Sequence, residues 1–207
     1  MTAIQDMTGL VLAGGRGSRM GGVNKGLQTF HGVPLALHAL QRLQPQVKTC
    51  MLNANRSLDA YAAFGVPVHT DMLADYAGPL AGFLTGLSHC TTSWLLTVPC
   101  DSPRFPHDLA QRMAATAAKE NALIVLAAGP ETGPDGSLQM RSQPVFALLH
   151  HSLRPSLQAF VSEGGRKIDA WSRQHPQALC HFDEPGDDPQ AFANANTLDE
   201  LQALQNE

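Results

Sequence analysis

The chain has 207 residues, 43% of them hydrophobic, and a net charge of -4. Such a length buries a sizeable core and fits one domain, residues 1–207. The mildly acidic balance excludes the broad basic surface that duplex nucleic acid requires, so small-molecule partners are expected and no nucleic acid.

The first residues, Met1 to Thr8, are polar and lack a basic start, and the first apolar run, Leu10 to Ala13, is too short for an export signal or a membrane span. Leu10 to Ala13 predicts a buried strand, followed at once by the glycine-rich stretch Leu12 to Lys25. Leu35, Leu37, Leu40 and Leu43 then have helical spacing, and strands are predicted at Val47 to Leu52 and Val66 to His69. Gly78-Pro-Leu-Ala-Gly82 opens a helix carrying Leu80, Phe83, Leu84 and Leu87, with Pro79 at its first position. A strand at Trp94 to Val98, a helix through Leu109, Met113 and Ala117, and a strand at Leu123 to Ala128 follow. This alternation predicts an α/β layered fold with a mostly parallel sheet.

Gly129 to Gly136 reads as a turn, and Val145 to Leu149 as one further strand. Helices are expected from Leu153 to Glu163, stopped by Gly164 and Gly165, and from Ile168 to Gln174. Glu184 to Pro189 is an acidic turn, and Thr197-Leu-Asp-Glu200 has the spacing of a capping box that leads into a last helix. A nucleotide-binding part at about 8–128 and an acceptor part at about 140–207 are the expected division of labour. The cysteines Cys50, Cys90, Cys100 and Cys180 form no C-x-x-C pair, which predicts reduced thiols in a cytoplasmic setting rather than a zinc cage or a disulfide framework. The nine histidines make no H-E-x-x-H arrangement, and no G-x-S-x-G elbow is present.

Chemistry concentrates in the glycine stretch. Five glycines between Gly14 and Gly22 let the backbone bring its N–H groups close to phosphate oxygens, while Arg16, Arg19 and Lys25 offset their charge. The stretch departs from the dinucleotide fingerprint, because Met20 stands at the third glycine position and the second strand ends in Asn53 without an acid. It departs from the P-loop as well, since Lys25 precedes Gly26 rather than Ser or Thr. A nucleoside triphosphate held through its phosphates, with Mg²⁺, is the expected ligand; a loop chosen only for flexibility is the alternative.

Position supplies a second signal, since ligands of open α/β sheets bind beyond the carboxyl ends of the strands. Gly14, Asn53, Asp71 and Asp101 fall there after the first four predicted strands. Asn53 and Asp71 suit a base or ribose, and Asp101 is the candidate Mg²⁺ ligand because a carboxylate is a hard oxygen donor that bridges through the metal to phosphates. Taken singly, each is also a common helix cap or turn former. Gly82 is small enough for a close ligand approach or for plain helix packing. Asn194 and Asn196 alternate as if along one side of a short strand, or serve as turn formers. Arg166 and Lys167 either complement a helix C-terminus or reach an anionic acceptor.

Together, Leu12-Ala-Gly-Gly-x-Gly-x-Arg-Met-Gly-Gly-x-x-Lys-Gly26, Asn53-Ala-Asn-Arg56, Asp71 to Asp75, Gly78-Pro-Leu-Ala-Gly82, Pro99-Cys-Asp101 and Asn194-x-Asn-Thr197 resemble the molybdenum cofactor guanylyltransferases, the MobA family, along nearly the whole chain. The resemblance implies a Rossmann-like fold of the nucleotide-diphospho-sugar-transferase type and a Mg²⁺-dependent transfer of GMP from GTP to the phosphate of Mo-molybdopterin, with pyrophosphate released. It implies a nucleotide site at Leu12, Ala13, Gly14, Lys25, Asn53, Asp71 and Asp101, with Asp101 also the metal ligand. Gly15, Gly82, Asn194 and Asn196 match further motif positions near the catalytic or acceptor region, and Arg166 joins them. Transient contacts with cofactor-biosynthesis proteins and acceptor apoenzymes, in the cytoplasm and without a membrane, are implied too. The family usually has Asp-Lys where this chain has Asn24-Lys25, and Asn-Thr-Pro where it has Asn196-Thr-Leu198. A cytidylyl or sugar-phosphate nucleotidyltransferase, and a nucleotide-binding regulator without catalysis, are the competing readings.

Overall fold

The computed structural model describes residues 6–14, 24–72, 78–133, 137–195 and 197–206. In chain order its elements are β1 (Met7–Leu12), a hairpin of β2 (Thr29–Phe30) and β3 (Val33–Pro34), α1 (Leu35–Leu43), β4 (Thr49–Asn53), α2 (Leu58–Ala62) and β5 (Val68–His69). Then come α3 (Pro79–His89), β6 (Trp94–Pro99), α4 (Leu109–Glu120), β7 (Ile124–Thr132) and β8 (Leu138–His150). The chain continues with α5 (Arg154–Ser162), α6 (Ile168–Ser172), β9 (Gln177–His181) and α7 (Leu198–Asn206).

One seven-stranded sheet organises these elements, in the order β5-β4-β1-β6-β8-β7-β9. Strand β1 lies between β4 and β6 and is parallel to both. Its side chains alternate between two apolar layers: Met7 and Val11 enter one, Leu10 and Leu12 the other. Coverage of both faces is why this strand reads as a continuous apolar run rather than an alternating one. Helices α1 and α4 close the first layer through Ala36, Ala39, Leu40, Leu109, Met113 and Ala117. Helices α3, α5 and α6 close the second, where Phe83, Leu157 and Trp171 are fully buried. After β5 the chain returns through α3 to β6 on the far side of β1, so connections diverge at β1 and β6 and leave a crevice at their carboxyl ends.

The expected parallel sheet holds for β5, β4, β1 and β6, but β8 is antiparallel to both β6 and β7. The short strand expected at Val145 to Leu149 is the end of this longer strand. Likewise the turn expected from Gly129 is partly strand, because Gly129 through Thr132 continue β7 opposite Arg141 through Leu138. The register slips between them: Leu126 faces Ala147 but Ala127 faces Gln143, leaving Pro144, Val145 and Phe146 unopposed. Pro144, without an N–H for a ladder, sits in this bulge, as strand prolines do.

The edge strand β9, the β2–β3 hairpin and the five-residue α2 have no counterpart among the elements expected from the sequence. Strand β9 is an edge strand whose residues are mostly exposed, so it lacks an apolar run. The β2–β3 hairpin has two residues per strand and turns through His31 (φ 48°) and Gly32 (φ 80°), both left-handed as two-residue hairpins require. The ends of α5 and the start of α7 follow the expected chemistry. Gly164 (φ 92°) terminates α5, and the N–H groups of Gly164 and Gly165 return to the carbonyls of Val161 and Phe160. At α7 the Glu200 N–H donates to Thr197 Oγ1 at 3.1 Å, and the Thr197 N–H donates to Glu200 Oε2 at 3.2 Å, a capping box. Among the described residues no helix is long and apolar enough to cross a membrane.

Candidate active site

Register places the site. Leu12 is level with Asn53 on one side and Pro99 on the other. The Ala13 N–H donates to the Asn53 carbonyl and the Cys100 N–H to the Leu12 carbonyl, carrying the three chains past the sheet side by side. The segments that leave these strand ends therefore converge on a cleft of about 430 Å³. One wall is Leu12, Ala13, Gly14, Lys25, Asn53 and Asp71, and α3 adds Gly78, Pro79 and Gly82. The opposite wall is Pro99, Cys100 and Asp101 with the β8 bulge and Asn194.

Lys25 opens a short 3-10 turn, and its ammonium donates to Asp101 Oδ2 at 2.5 Å. Both side chains are about one-fifth exposed, so the pair is only partly screened by water. The turn is fixed from beneath by Tyr61 of α2, a fully buried residue whose hydroxyl donates to Asn24 Oδ1 at 2.6 Å. Burial pushes the Tyr61 phenol well above its usual range, which keeps it a donor. A Cβ on Gly26 would lie 2.4 Å from that hydroxyl, so only glycine fits beside Lys25. The Asn24 side chain thus holds Tyr61, and the acid that partners the Lys25 ammonium is Asp101.

The segment after Asp101 is tied to α1. The Arg42 guanidinium donates to the carbonyls of Phe105 and Arg104, while Gln46 donates to the Pro106 carbonyl and accepts from the Ala110 N–H. Cys100 forms part of the cleft wall yet is 5% exposed. Burial, and then the neighbouring Asp101 carboxylate, push its thiol far above the usual range.

The end of the cleft away from Asp101 is a network of amides around Asp71. Asn53 Nδ2 donates to Asp71 Oδ1 at 2.9 Å and to the His69 carbonyl at 3.2 Å. Asn55 Nδ2 donates to Asp71 Oδ2 at 2.7 Å, and Asn55 Oδ1 accepts from the Asp71 N–H at 2.8 Å. Two glycines make room for these amides. A Cβ on Gly82 would meet Asn53 Oδ1 at 2.8 Å and Leu12 Cδ2 at 2.4 Å, and one on Gly14 would meet Asn55 Nδ2 at 3.0 Å. Gly82 is needed for the packing of Asn53 as much as for the approach of a ligand.

Asn194 reaches the cleft from the segment before α7. No strand forms there among the described residues; Asn194 Oδ1 instead accepts from the buried Ser102 hydroxyl at 2.5 Å. The Ala195 N–H donates to the Asp101 carbonyl at 2.9 Å, locking this segment to the end of β6. Arg166 is not part of the cleft wall: its guanidinium donates to the carbonyls of Val161 and Gly165 and closes α5. Gly15 and Asn196, with Arg16 and Arg19, lie outside the described residues. Of the expected site, the structure thus brings together Leu12, Ala13, Gly14, Lys25, Asn53, Asp71, Gly82, Asp101 and Asn194. Asn55 stands within the motif Asn53-Ala-Asn-Arg56 but is given no role by the sequence, and Ser102 is missed, its only hint being a hydroxyl adjoining Asp101.

Among the described residues no three His, Cys, Asp or Glu side chains gather to cage a metal. A cleft carboxylate suits Mg²⁺, which commonly binds through one or two carboxylates and takes its other ligands from substrate phosphates and water. Asp101 fits that role.

Residues 9–179 match the model of the MobA-like NTP transferase domain. The chain is 64% identical over 206 residues to a molybdenum cofactor guanylyltransferase of Acidovorax ebreus, covering 99% of this chain and 98% of that one. It is 62% identical over 208 residues to the protein of the same name from Albidiferax ferrireducens, covering 100% and 99%. Among solved structures, molybdopterin-guanine dinucleotide biosynthesis protein A of Archaeoglobus fulgidus superposes with a TM-score of 0.73 at 18% identity, over 97% of both chains. The 4-diphosphocytidyl-2C-methyl-D-erythritol synthase of Anaerococcus prevotii gives 0.71 at 9% identity, over 99% of this chain and 98% of that one. The fold is thus shared with nucleotidyltransferases of several kinds, and sequence identity from end to end makes this chain a member of the MobA-like NTP transferase family, in its branch of molybdenum cofactor guanylyltransferases.

Proposed function

We propose that this protein transfers the guanylyl group of GTP to the terminal phosphate of Mo-molybdopterin, releasing pyrophosphate. The observation that carries the reading is the convergence of Lys25 and Asp101 at one end of the cleft and Asn53 and Asp71 at the other. A triphosphate and a base are recognised by those two kinds of group, and the chain holding them is 64% identical to named guanylyltransferases.

A phosphate monoester is already a nucleophile, so the protein needs neither a covalent intermediate nor a strong base; its work is alignment and charge neutralisation. Asp71 and Asn53 hold the guanine, and Leu12, Ala13 and Gly14 lie alongside the nucleoside. Asp101 would hold Mg²⁺, which when bound supplies Lewis-acid polarisation of the phosphate oxygens. The Lys25 ammonium lies against that carboxylate. Lys25, beside Asp101, stabilises the departing pyrophosphate. Asn194, steadied by Ser102, orients the acceptor phosphate from the other wall. Gly15 and Asn196 complete the catalytic set.

The test incubates the purified protein with molybdopterin acceptor, Mg²⁺ and each nucleoside triphosphate in turn, measuring pyrophosphate. Release with GTP alone is expected. Release with CTP alone would make the protein a cytidylyltransferase, and GTP binding without release a regulator.

A further inference from the structure

We infer that Asn55 is a positioning residue for guanine selection, acting through Asp71. The inference rests on the reading that Asp71 meets the base. Asn55 is half-buried and is absent from the cleft wall, so it sits behind Asp71 rather than against the ligand. Its carboxamide grips one residue twice. The oxygen accepts from the Asp71 backbone N–H at 2.8 Å, and the nitrogen donates to Asp71 Oδ2 at 2.7 Å. A two-point grip on a backbone and its own side chain fixes the side-chain torsion of Asp71. Asn53 takes the other oxygen, Oδ1, at 2.9 Å.

Among the described residues, each carboxylate oxygen therefore has one neutral amide donor, and each has acceptor capacity left over. That pairing matters for what the carboxylate can read. Guanine presents two adjacent donors, the ring N1–H and the 2-amino group, and a carboxylate with both oxygens held in one plane accepts both together. Hypoxanthine presents only the N1–H. A carboxylate free to rotate still accepts one hydrogen bond but loses the paired geometry, so the discrimination between the two bases depends on how firmly Asp71 is held. Among the described residues, Asn53 alone leaves Oδ2 without a side-chain donor. Asn55 supplies it, and its longer contact with the Gly14 carbonyl at 3.4 Å ties the same amide to the start of the glycine stretch.

The experiment measures pyrophosphate release with GTP and with ITP, which lacks the 2-amino group, for the full chain and for N55A, N55D and D71A. Asn55→Asp keeps the size of the side chain and an acceptor for the Asp71 N–H, while replacing the donor to Oδ2 by an oxygen. The expected result is a KM for GTP raised roughly tenfold in both Asn55 variants, kcat within about twofold, and a GTP-over-ITP preference reduced roughly tenfold. A residue that only shaped the turn would be served by Asp, and N55D would keep the wild-type preference; that result overturns the proposal, also where N55A fails to fold. If D71A keeps the GTP preference, the base is read elsewhere, and the placement of guanine on Asp71 falls together with the proposal. If D71A loses the preference and N55D keeps it, only the role of Asn55 falls.

Discussion

The two halves of the central sheet place side chains by different means. In the parallel half, β5, β4, β1 and β6 end level with one another, and Asp71, Asn53, Ala13 and Cys100, at or just beyond those ends, line the cleft because the register puts them there. In the antiparallel half, Gln143 to Phe146 reach the cleft through a slip of register, and Asn194 through two hydrogen bonds to residues 101 and 102. The first kind of placement is built into the topology. The second is held by single contacts, so it should yield to single substitutions without disturbing the first. Nucleotide binding and acceptor positioning are therefore expected to separate in variants.

The largest expected effect lies where the two halves meet. Asp101→Ala removes the carboxylate that Lys25 grips and that suits the metal, and it should lower turnover by about a thousandfold or more while far-ultraviolet circular dichroism stays unchanged. Near-normal GMP transfer by this variant would show that the two halves do not share a metal ligand. Within the parallel half, Gly82→Ala forces a methyl group against Leu12 and Asn53. Overpacking of this kind costs about 1–3 kcal/mol, and the KM for GTP should rise roughly tenfold, with the KM for the acceptor little changed. An unchanged KM for GTP would mean that the amide network around Asn53 gives way without cost.

Ser102→Ala probes the antiparallel half. It frees Asn194 and should lower kcat/KM for the acceptor by roughly three- to tenfold, leaving GTP affinity as it was. Equal losses for GTP and acceptor would break the separation of the halves. The smallest effect is spread over both. His38, His69, His150 and His175 all have their pKa lowered, first by desolvation, and His69 further by the stacked ring of His89 at 3.7 Å. The neutral forms are favoured in the folded state, so their contribution is complete above the unfolded value of about 6.5 and is lost as the pH falls below it. Tm should drop by about a few degrees between pH 7.5 and 5.5, and a Tm that rises over this interval would contradict these environments.

The same contrast explains what is legible in the sequence. Gly14, Asn53, Asp71 and Asp101 can be assigned to one end of a sheet because each shortly follows a predicted strand, and parallel topology turns that position into proximity. Lys25 is legible from the glycine stretch, but its partner is not: the pairing with Asp101 joins residues 76 apart in the chain. The long β8 is legible only at its apolar end, since its first residues are exposed on the arm it forms with β7. The edge strand β9 is hidden for the same reason. Arg166 stands where a cation serves either a helix end or an anion, and the carbonyls of α5 receive it because Gly164 and Gly165 turn the chain back over that end.

Cys100 and Asp101 line the same cleft side by side. Thiolates are the soft metal donors among side chains, and one beside Asp101 would offer a second kind of ligand to any metal ion held there. Burial and the adjacent negative charge keep the Cys100 sulfur protonated at neutral pH, so the wall of the cleft presents carbon and neutral S–H rather than a rival ligand. The burial that protects this thiol leaves the oxygen of Asp101, a hard donor, without a thiolate beside it.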